Sequence, residues 1–350
     1  MTNLIITFII LSIVATAAYF VYLRFFSPKR RYEIEYNNGI EAYHAGNFEE
    51  AISFFNKAIE INPEKPEAYY NLGLVYLDMK KNYESEKNFK KALEINPNDT
   101  DAHFNLGLLY INMKKYADAF KEYSKVLEIH PNDAESLYMS GCIMKELNNF
   151  DKALEYLKKA IEIQSSNAEY YYALGETYDR KNVVEQDFSD INLAMENYSK
   201  AVELDPKNEE AYYKLAICAA KKGMWEECVK SCQRVLEIND RSARAYNQMG
   251  LAMYCSGSYE EAANMYRKAI EVDSGYAETY NNYGYALEKL GDFEEAVLMF
   301  KKYLQVFSSE SAKEIGKNEM NEQAKSLIMK KQAIQEHIHQ LEETIRMKRA

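Results

Sequence analysis

Residues 69–76 read YYNLGLVY, and residues 103–110 read HFNLGLLY. The two blocks lie 34 positions apart, and a second pair keeps the same register: KKALEINP at 90–97 and SKVLEIHP at 124–131. Working outward from them, one small residue marks each repeat: Gly39, Gly73, Gly107, Gly141, Gly175, Ala216, Gly250 and Gly284. Twelve positions further on stands a second set, Ala51, Ser85, Ala119, Ala153, Cys228, Ala262 and Ala296, with Ala194 arriving seven positions late in the fifth unit. A fixed period of this length is the signature of stacked supersecondary units.

The spacing has a packing reason. Two amphipathic helices per unit must cross closely to bury their apolar stripes, and a residue without a long side chain lets the backbones approach. Bulky residues fill the remaining space: Tyr76, Tyr110 and Tyr178 on the first helices, Phe55, Phe89, Tyr123, Tyr198, Tyr266 and Phe300 on the second. Pro63, Pro97, Pro131 and Pro206 close units, since proline cannot continue a helix.

These residues resemble the tetratricopeptide repeat (TPR) family over eight units, 32–308. The resemblance implies an all-α, right-handed superhelix of helix pairs with a concave groove. Departures are local. Glu35 and Asn38 replace aromatic and Leu in the first unit, Ala216 replaces Gly in the sixth, and Ser165, Asp240, Ser274 and Ser308 replace the closing Pro in others.

In this family the groove is lined by first-helix positions three and six before the marker, and one and four after it. The row three before reads Tyr36, Tyr70, Phe104, Tyr138, Tyr172, Tyr213, Asn247 and Asn281. Six consecutive aromatics make either an anchoring surface for a bound peptide or an inner wall that only packs against itself. Two before the marker stand Asn37, Asn71, Asn105, Gln248 and Asn282, interrupted by Met139, Ala173 and Lys214. An amide offers donor and acceptor to any peptide backbone, a role the resemblance implies; bonding between repeats is the other reading. Six before come Glu33, Glu67, Asp101, Glu135, Glu169, Glu210, Arg244 and Glu278. The helix dipole accounts for acids at a helix start, with a basic ligand as the alternative. The family's clamp for chaperone C-termini is not expected in the first three units, because 32–44 lack Lys and 100–113 lack Lys and Arg.

Composition bounds the rest. The chain has 350 residues, 13 Gly, 6 Pro and a net charge of −11, which argues against a turn-rich all-β fold and against nucleic acid as a partner. The five cysteines, Cys142, Cys218, Cys228, Cys232 and Cys255, form no paired metal spacing, and the five histidines no ligand cluster. Neither a nucleophile motif nor a phosphate loop occurs. We expect no catalysis, no metal and no cofactor.

Residues 4–23, LIITFIILSIVATAAYFVYL, carry no charge. A helix of that length spans about 30 Å, the hydrocarbon thickness of a bilayer. Ala15-Thr16-Ala17 resembles a signal cleavage site, but no basic residue precedes the apolar run and the run continues past it. The reading is an uncleaved transmembrane anchor, followed by a basic juxtamembrane linker at 24–31. Arg24, Lys29, Arg30 and Arg31 determine topology and place the repeats in the cytoplasm. A bacterial inner membrane is the first expectation, an organelle outer membrane the second.

Two features depart from the repeat. Seven residues are inserted around 179–188, read as a lengthened loop. Residues 309–350 form a C-terminal helix whose Ala324, Leu327, Lys331, Ile334, Ile338, Leu341 and Ile345 alternate in steps of three and four. This stripe either caps the last repeat or makes a short coiled coil joining copies of the chain or a partner. The expected function is a membrane-tethered scaffold that binds protein or peptide partners in its groove. Alternatives are a receptor for client chains at a translocation machine, or a structural subunit of an envelope, secretion or motility complex.

Overall fold

The computed structural model describes residues 11–16, 19, 22, 27–186, 189–315 and 322–349, with side chains of 308–328 outside that description. Every element described is a helix, and the chain divides into two compact units, 1–165 and 166–350. The first holds four helix pairs: α1 Pro28–His44 with α2 Phe48–Ile61, α3 Pro66–Asp78 with α4 Asn82–Ile95, α5 Thr100–Asn112 with α6 Tyr116–Ile129, and α7 Ala134–Glu146 with α8 Phe150–Ile163. The second holds four more: α9 Ala168–Glu185 with α10 Ile191–Leu204, α11 Glu209–Lys221 with α12 Trp225–Ile238, α13 Ala243–Cys255 with α14 Tyr259–Val272, and α15 Ala277–Leu290 with α16 Phe293–Ile315. The helix α17, Glu322–Arg349, follows.

The marker glycines sit where the two helices of a pair cross. A Cβ on Gly73 would lie 2.7 Å from the Phe89 ring, and one on Gly250 2.7 Å from Tyr266, closer than carbon atoms tolerate. Ala216 is the exception that fits the rule. Its second-helix counterpart is Cys232, and both are fully buried in one cluster, so a methyl and a small thiol fill the space that a hydrogen and a ring fill elsewhere.

The turn within a pair needs one left-handed residue, supplied by Gly46, Gly223, Gly257 and Gly291 but also by Lys80, Lys114 and Asn148. The turn between pairs does not depend on proline. Asn62, Asn96, Asp205, Asn239 and Asp273 each follow a second helix and accept a hydrogen bond from the backbone N–H two residues on, at 2.8–3.4 Å. These Asx turns hold the chain at Asp240 and Ser274, where the closing Pro is missing.

Three boundaries differ from expectation. The insertion is not a loop: α9 runs to Glu185, giving 18 residues where α11 has 13. Asn182 is buried within it. α16 continues through Ser308 to Ile315. At the N-terminus α1 starts at Pro28, capped by Ser27 Oγ, which accepts from Arg30 N at 3.3 Å. Lys29, Arg30 and Arg31 therefore occupy its first turn instead of a linker.

Most of the span expected at 4–23, and Arg24, lie outside the described residues. Among the described residues no helix is long and apolar enough to cross a membrane.

α17 covers the last pair. Ile334, Ile338 and Leu341 are buried in one cluster with Tyr280, Tyr283, Val297 and Phe300. The edges are fixed by Lys301–Glu342 at 2.7 Å, His337 Nε2 to Glu288 Oε2 at 2.9 Å, and an Arg349–Glu294 ion pair. That order of contacts runs α17 antiparallel to α16. The C-terminal part of the alternating stripe is thus spent inside the chain; Ala324 and Leu327 have no described side chains.

Candidate functional site: the first-helix face

In the first unit, the expected groove residues are linked from repeat to repeat. Asn71 Nδ2 donates to Tyr36 Oη at 3.0 Å and to Glu67 O at 2.8 Å. One repeat on, Asn105 Nδ2 donates to Tyr70 Oη at 3.1 Å and to Asp101 O at 2.9 Å. Both hydrogens of each amide are consumed, one by its own helix and one by the preceding repeat. What each rung still offers is an amide oxygen as acceptor and a tyrosine O–H as donor. Asn37, with no repeat before it, is exposed.

The aromatic row leans on the core of its own pairs. Ring centroids are 6.0 Å apart for Tyr36 and Phe55, 5.9 Å for Tyr70 and Phe89, and 5.2 Å, edge to face, for Phe104 and Tyr123. Burial first, then Asp101 and Asp99, push the Tyr70 hydroxyl up to about 12, so it stays a donor at any physiological pH. Tyr138 is half-buried in the same row.

In the second unit, Tyr172 packs on Tyr198 at 5.7 Å. Tyr213 lies under Arg244, 4.4 Å from guanidinium to ring centre. That arginine, the exception in the acidic row, pairs with Glu210 at 2.6 Å and Glu209 at 3.0 Å. Glu67, Asp101, Glu135, Glu169, Glu210 and Glu278 stand in the first turns of their helices, where the dipole favours them, whereas Glu33 lies past the first turn of α1, so the helix-start explanation does not reach it. Asn247 and Gln248 are buried. Asn282 Nδ2 donates to Asn247 Oδ1 at 3.1 Å, and Gln248 Nε2 approaches Cys228 Sγ at 3.8 Å.

These last residues open onto a cavity of about 500 Å³, bounded on one side by Lys330, Ala333 and Ile334 of α17. Its other walls include Asn281 and Tyr285 from α15, Tyr276 before it, and Tyr303 from α16. Tyr285 stands one position after marker Gly284, an offset the repeat register already puts on this face. Lys330 had no such signal, because its place depends on how the C-terminal helix folds back.

Stacked helix pairs presenting a polar and aromatic face define a helical repeat protein of the partner-binding kind. The chain belongs to the tetratricopeptide repeat family. Models described as TPR repeat match 39–80 and 189–223, and tetratricopeptide repeat models match 66–99, 99–166, 208–274 and 242–309. The matches skip 167–188, the stretch that carries the lengthened α9.

Among solved structures, the chain is similar to the C-terminal part of a TPR repeat-containing protein from Cytophaga hutchinsonii. The identity is 15%, over 71% of this chain and 98% of that one, with a TM-score of 0.59. It is also similar to a tetratricopeptide repeat protein from Parabacteroides merdae, at 17% identity over 74% and 99%, TM-score 0.53. YrrB, a TPR protein with an unusual peptide-binding site, aligns at 25% identity over 55% and 95%, TM-score 0.47. No curated protein matches the sequence. TPR domains in general mediate protein–protein interaction and scaffolding, and the fold is typically non-catalytic.

Proposed function

We propose that this protein is a membrane-tethered scaffold that binds an extended segment of a partner protein along its first-helix face. The observation that carries this reading is the pair of Asn–Tyr rungs, Asn71 with Tyr36 and Asn105 with Tyr70. Their leftover acceptors and donors recur at the repeat spacing and suit a peptide backbone of any sequence. The inter-repeat bonds hold those groups in place before a ligand arrives, which lowers the ordering cost of binding.

Tethering is supported from two directions. Thr16 Oγ1 donates to Ser12 O at 2.9 Å and Ile13 O at 2.8 Å, so this hydroxyl is satisfied inside its own helix, as lipid requires. Lys29, Arg30 and Arg31 stand in the first turn of α1, where the dipole disfavours bases, and among the described residues only Arg30 finds an acid, Glu33 at 3.4 Å. An arrangement costly to the helix makes sense beside an anionic bilayer surface. The repeats then face the cytoplasm.

Client capture for a translocation machine uses the same face. A structural subunit would instead dock through the second helices or α17. Photocrosslinkers placed at Tyr70 and, on α4, at exposed Lys87 separate these readings. Groove binding gives one adduct from position 70 and none from 87, and that adduct disappears in the Asn71→Ala/Asn105→Ala background with an unchanged circular dichroism spectrum. Adducts from position 87 alone would overturn the proposal.

A further inference from the structure

We propose that the cavity between the first-helix face of the second unit and α17 is a seat for an arginine side chain of the bound partner. This rests on the groove reading above and adds the chemistry of one anchor.

The walls decide the class of ligand. At about 500 Å³ the cavity is of ligand size, yet amide groups of Asn247, Gln248, Asn281 and Asn282 make it unsuited to an apolar side chain. Asn281 Oδ1 is sheltered from solvent with no hydrogen-bond donor, a state that costs about 1–3 kcal/mol until an N–H arrives. An apolar occupant would leave it orphaned. An anionic occupant would meet the Glu278 carboxylate, with Lys330, exposed on α17, as the one base in the lining. A neutral amide would satisfy the oxygen and could donate to Glu278, but it lacks the charge that the carboxylate and the rings attract.

A cation uses all three. Tyr276 and Tyr285 supply aromatic surface, and Tyr285 is fixed between the Phe300 ring at 5.0 Å and the His337 ring at 5.6 Å. Tyr276 Oη reaches Glu278 Oε2 at 3.5 Å and orients that carboxylate at the mouth. Residues 32–310 carry 48 acidic against 31 basic side chains, so the surrounding field favours a positive ligand.

Guanidinium fits better than ammonium, being planar, able to stack on tyrosine and bearing several donors at once. The chain already contains this construction one step away. Arg244 lies on Tyr213 at 4.4 Å and is held by Glu209 and Glu210.

The test uses the full-length chain in detergent and two fluorescent pentapeptides, acetyl-Gly-Gly-Arg-Gly-Gly-amide and its citrulline analogue, which keeps the shape and loses the charge. Fluorescence polarisation should show the arginine peptide binding at least 10-fold more tightly. Glu278→Gln should reduce that preference several-fold, and Lys330→Gln, which removes a like charge at the rim, should increase it 2- to 3-fold. Both are exposed positions, and Glu261→Gln on α14 serves as a control for the general acidic field and should change nothing.

Equal binding of the two peptides, no detectable binding of the arginine peptide at millimolar concentration, or an equal loss in Glu261→Gln would each overturn the assignment. The crosslink from Tyr70, in the other unit, reports separately on groove binding and can stand while this assignment falls.

Discussion

Two residues of the first unit work against their own surroundings and show where stability is set. Lys114 is exposed and holds a backbone φ of 57°, at the position where Gly223, Gly257 and Gly291 serve in other repeats. A Cβ in that region costs about 1 kcal/mol, partly offset by the greater freedom glycine loses on folding. Lys114→Gly should therefore stabilise by roughly 0.5–1 kcal/mol and raise the calorimetric midpoint; an unchanged or lower midpoint would contradict this. His103 is buried, with Nδ1 2.7 Å from Glu122 Oε2 and Nε2 3.0 Å from Pro97 O. Two acceptors require both ring nitrogens to donate, which only the imidazolium can do. Burial pulls its pKa down, but the Glu122 carboxylate and the Pro97 carbonyl outweigh it and leave it above the ordinary value. A proton bound more tightly in the fold than in the unfolded chain stabilises fully below about pH 6.5, and that contribution fades as pH rises through the raised value. The melting temperature should fall across that window, and His103→Gln should flatten the dependence; parallel curves would sink this account. The marker glycines and the asparagine row were legible in the sequence because each recurs in register. His103 was not, because its partner lies on the next helix and the pairing occurs once.

At the scale of the element, one apolar pattern can serve two structures. The steps of three and four along 324–345 fit a cap and a coiled coil alike, and only the position of α17 against α15 and α16 decides between them. Ile338, 7% exposed, is covered by its own chain while α17 stays down. Ile338→Asp should cost about 3 kcal/mol or more by placing a carboxylate in that contact. Since a solenoid unravels from its ends, we expect α17 to detach first, with fast amide exchange over 322–349 and proteolysis at Lys330 and Lys331, while α1–α14 keep their protection. If the native chain instead runs as a dimer in light scattering and Ile338→Asp converts it to monomer without new exchange, the stripe joins copies and the cap is wrong. The fifth repeat gives the complementary lesson. A count of seven extra residues tells how much chain is added but not its conformation, and Lys181-Asn182-Val183-Val184-Glu185 continues α9 because nothing in it breaks a helix and Asn182 can be buried there. Breakers were absent from the sequence, so extension was readable in principle; the burial that fixes it was not.

For the whole molecule, the charge is not evenly laid. Residues 1–31 hold four basic and no acidic side chains, 32–310 hold 31 basic and 48 acidic, and 311–350 hold eight and six. In the anchored form proposed above, an anionic bilayer repels the strongly acidic body and attracts the basic N-terminal flank, which would set the orientation. Twelve of the twenty residues at 4–23 are Leu, Ile, Phe or Val, which at about −0.4 kcal/mol each favour insertion by roughly 5 kcal/mol. The proposed tether and the fold place opposite demands on Lys29, Arg30 and Arg31. Changing all three to Glu puts acids where the α1 dipole wants them, for about 0.3–1 kcal/mol each, and should leave the melting temperature unchanged or slightly higher. The same change removes three of the four charges proposed to hold the flank inside, so protease added to the face opposite the native repeats should then reach them in a substantial fraction of molecules, while the native chain should stay protected from that face. Both forms should resist alkaline carbonate, because the apolar span is intact. Release of the native chain by carbonate would overturn the anchor itself, and retention with unaltered protection in the Glu variant would show that these bases do not set membrane orientation.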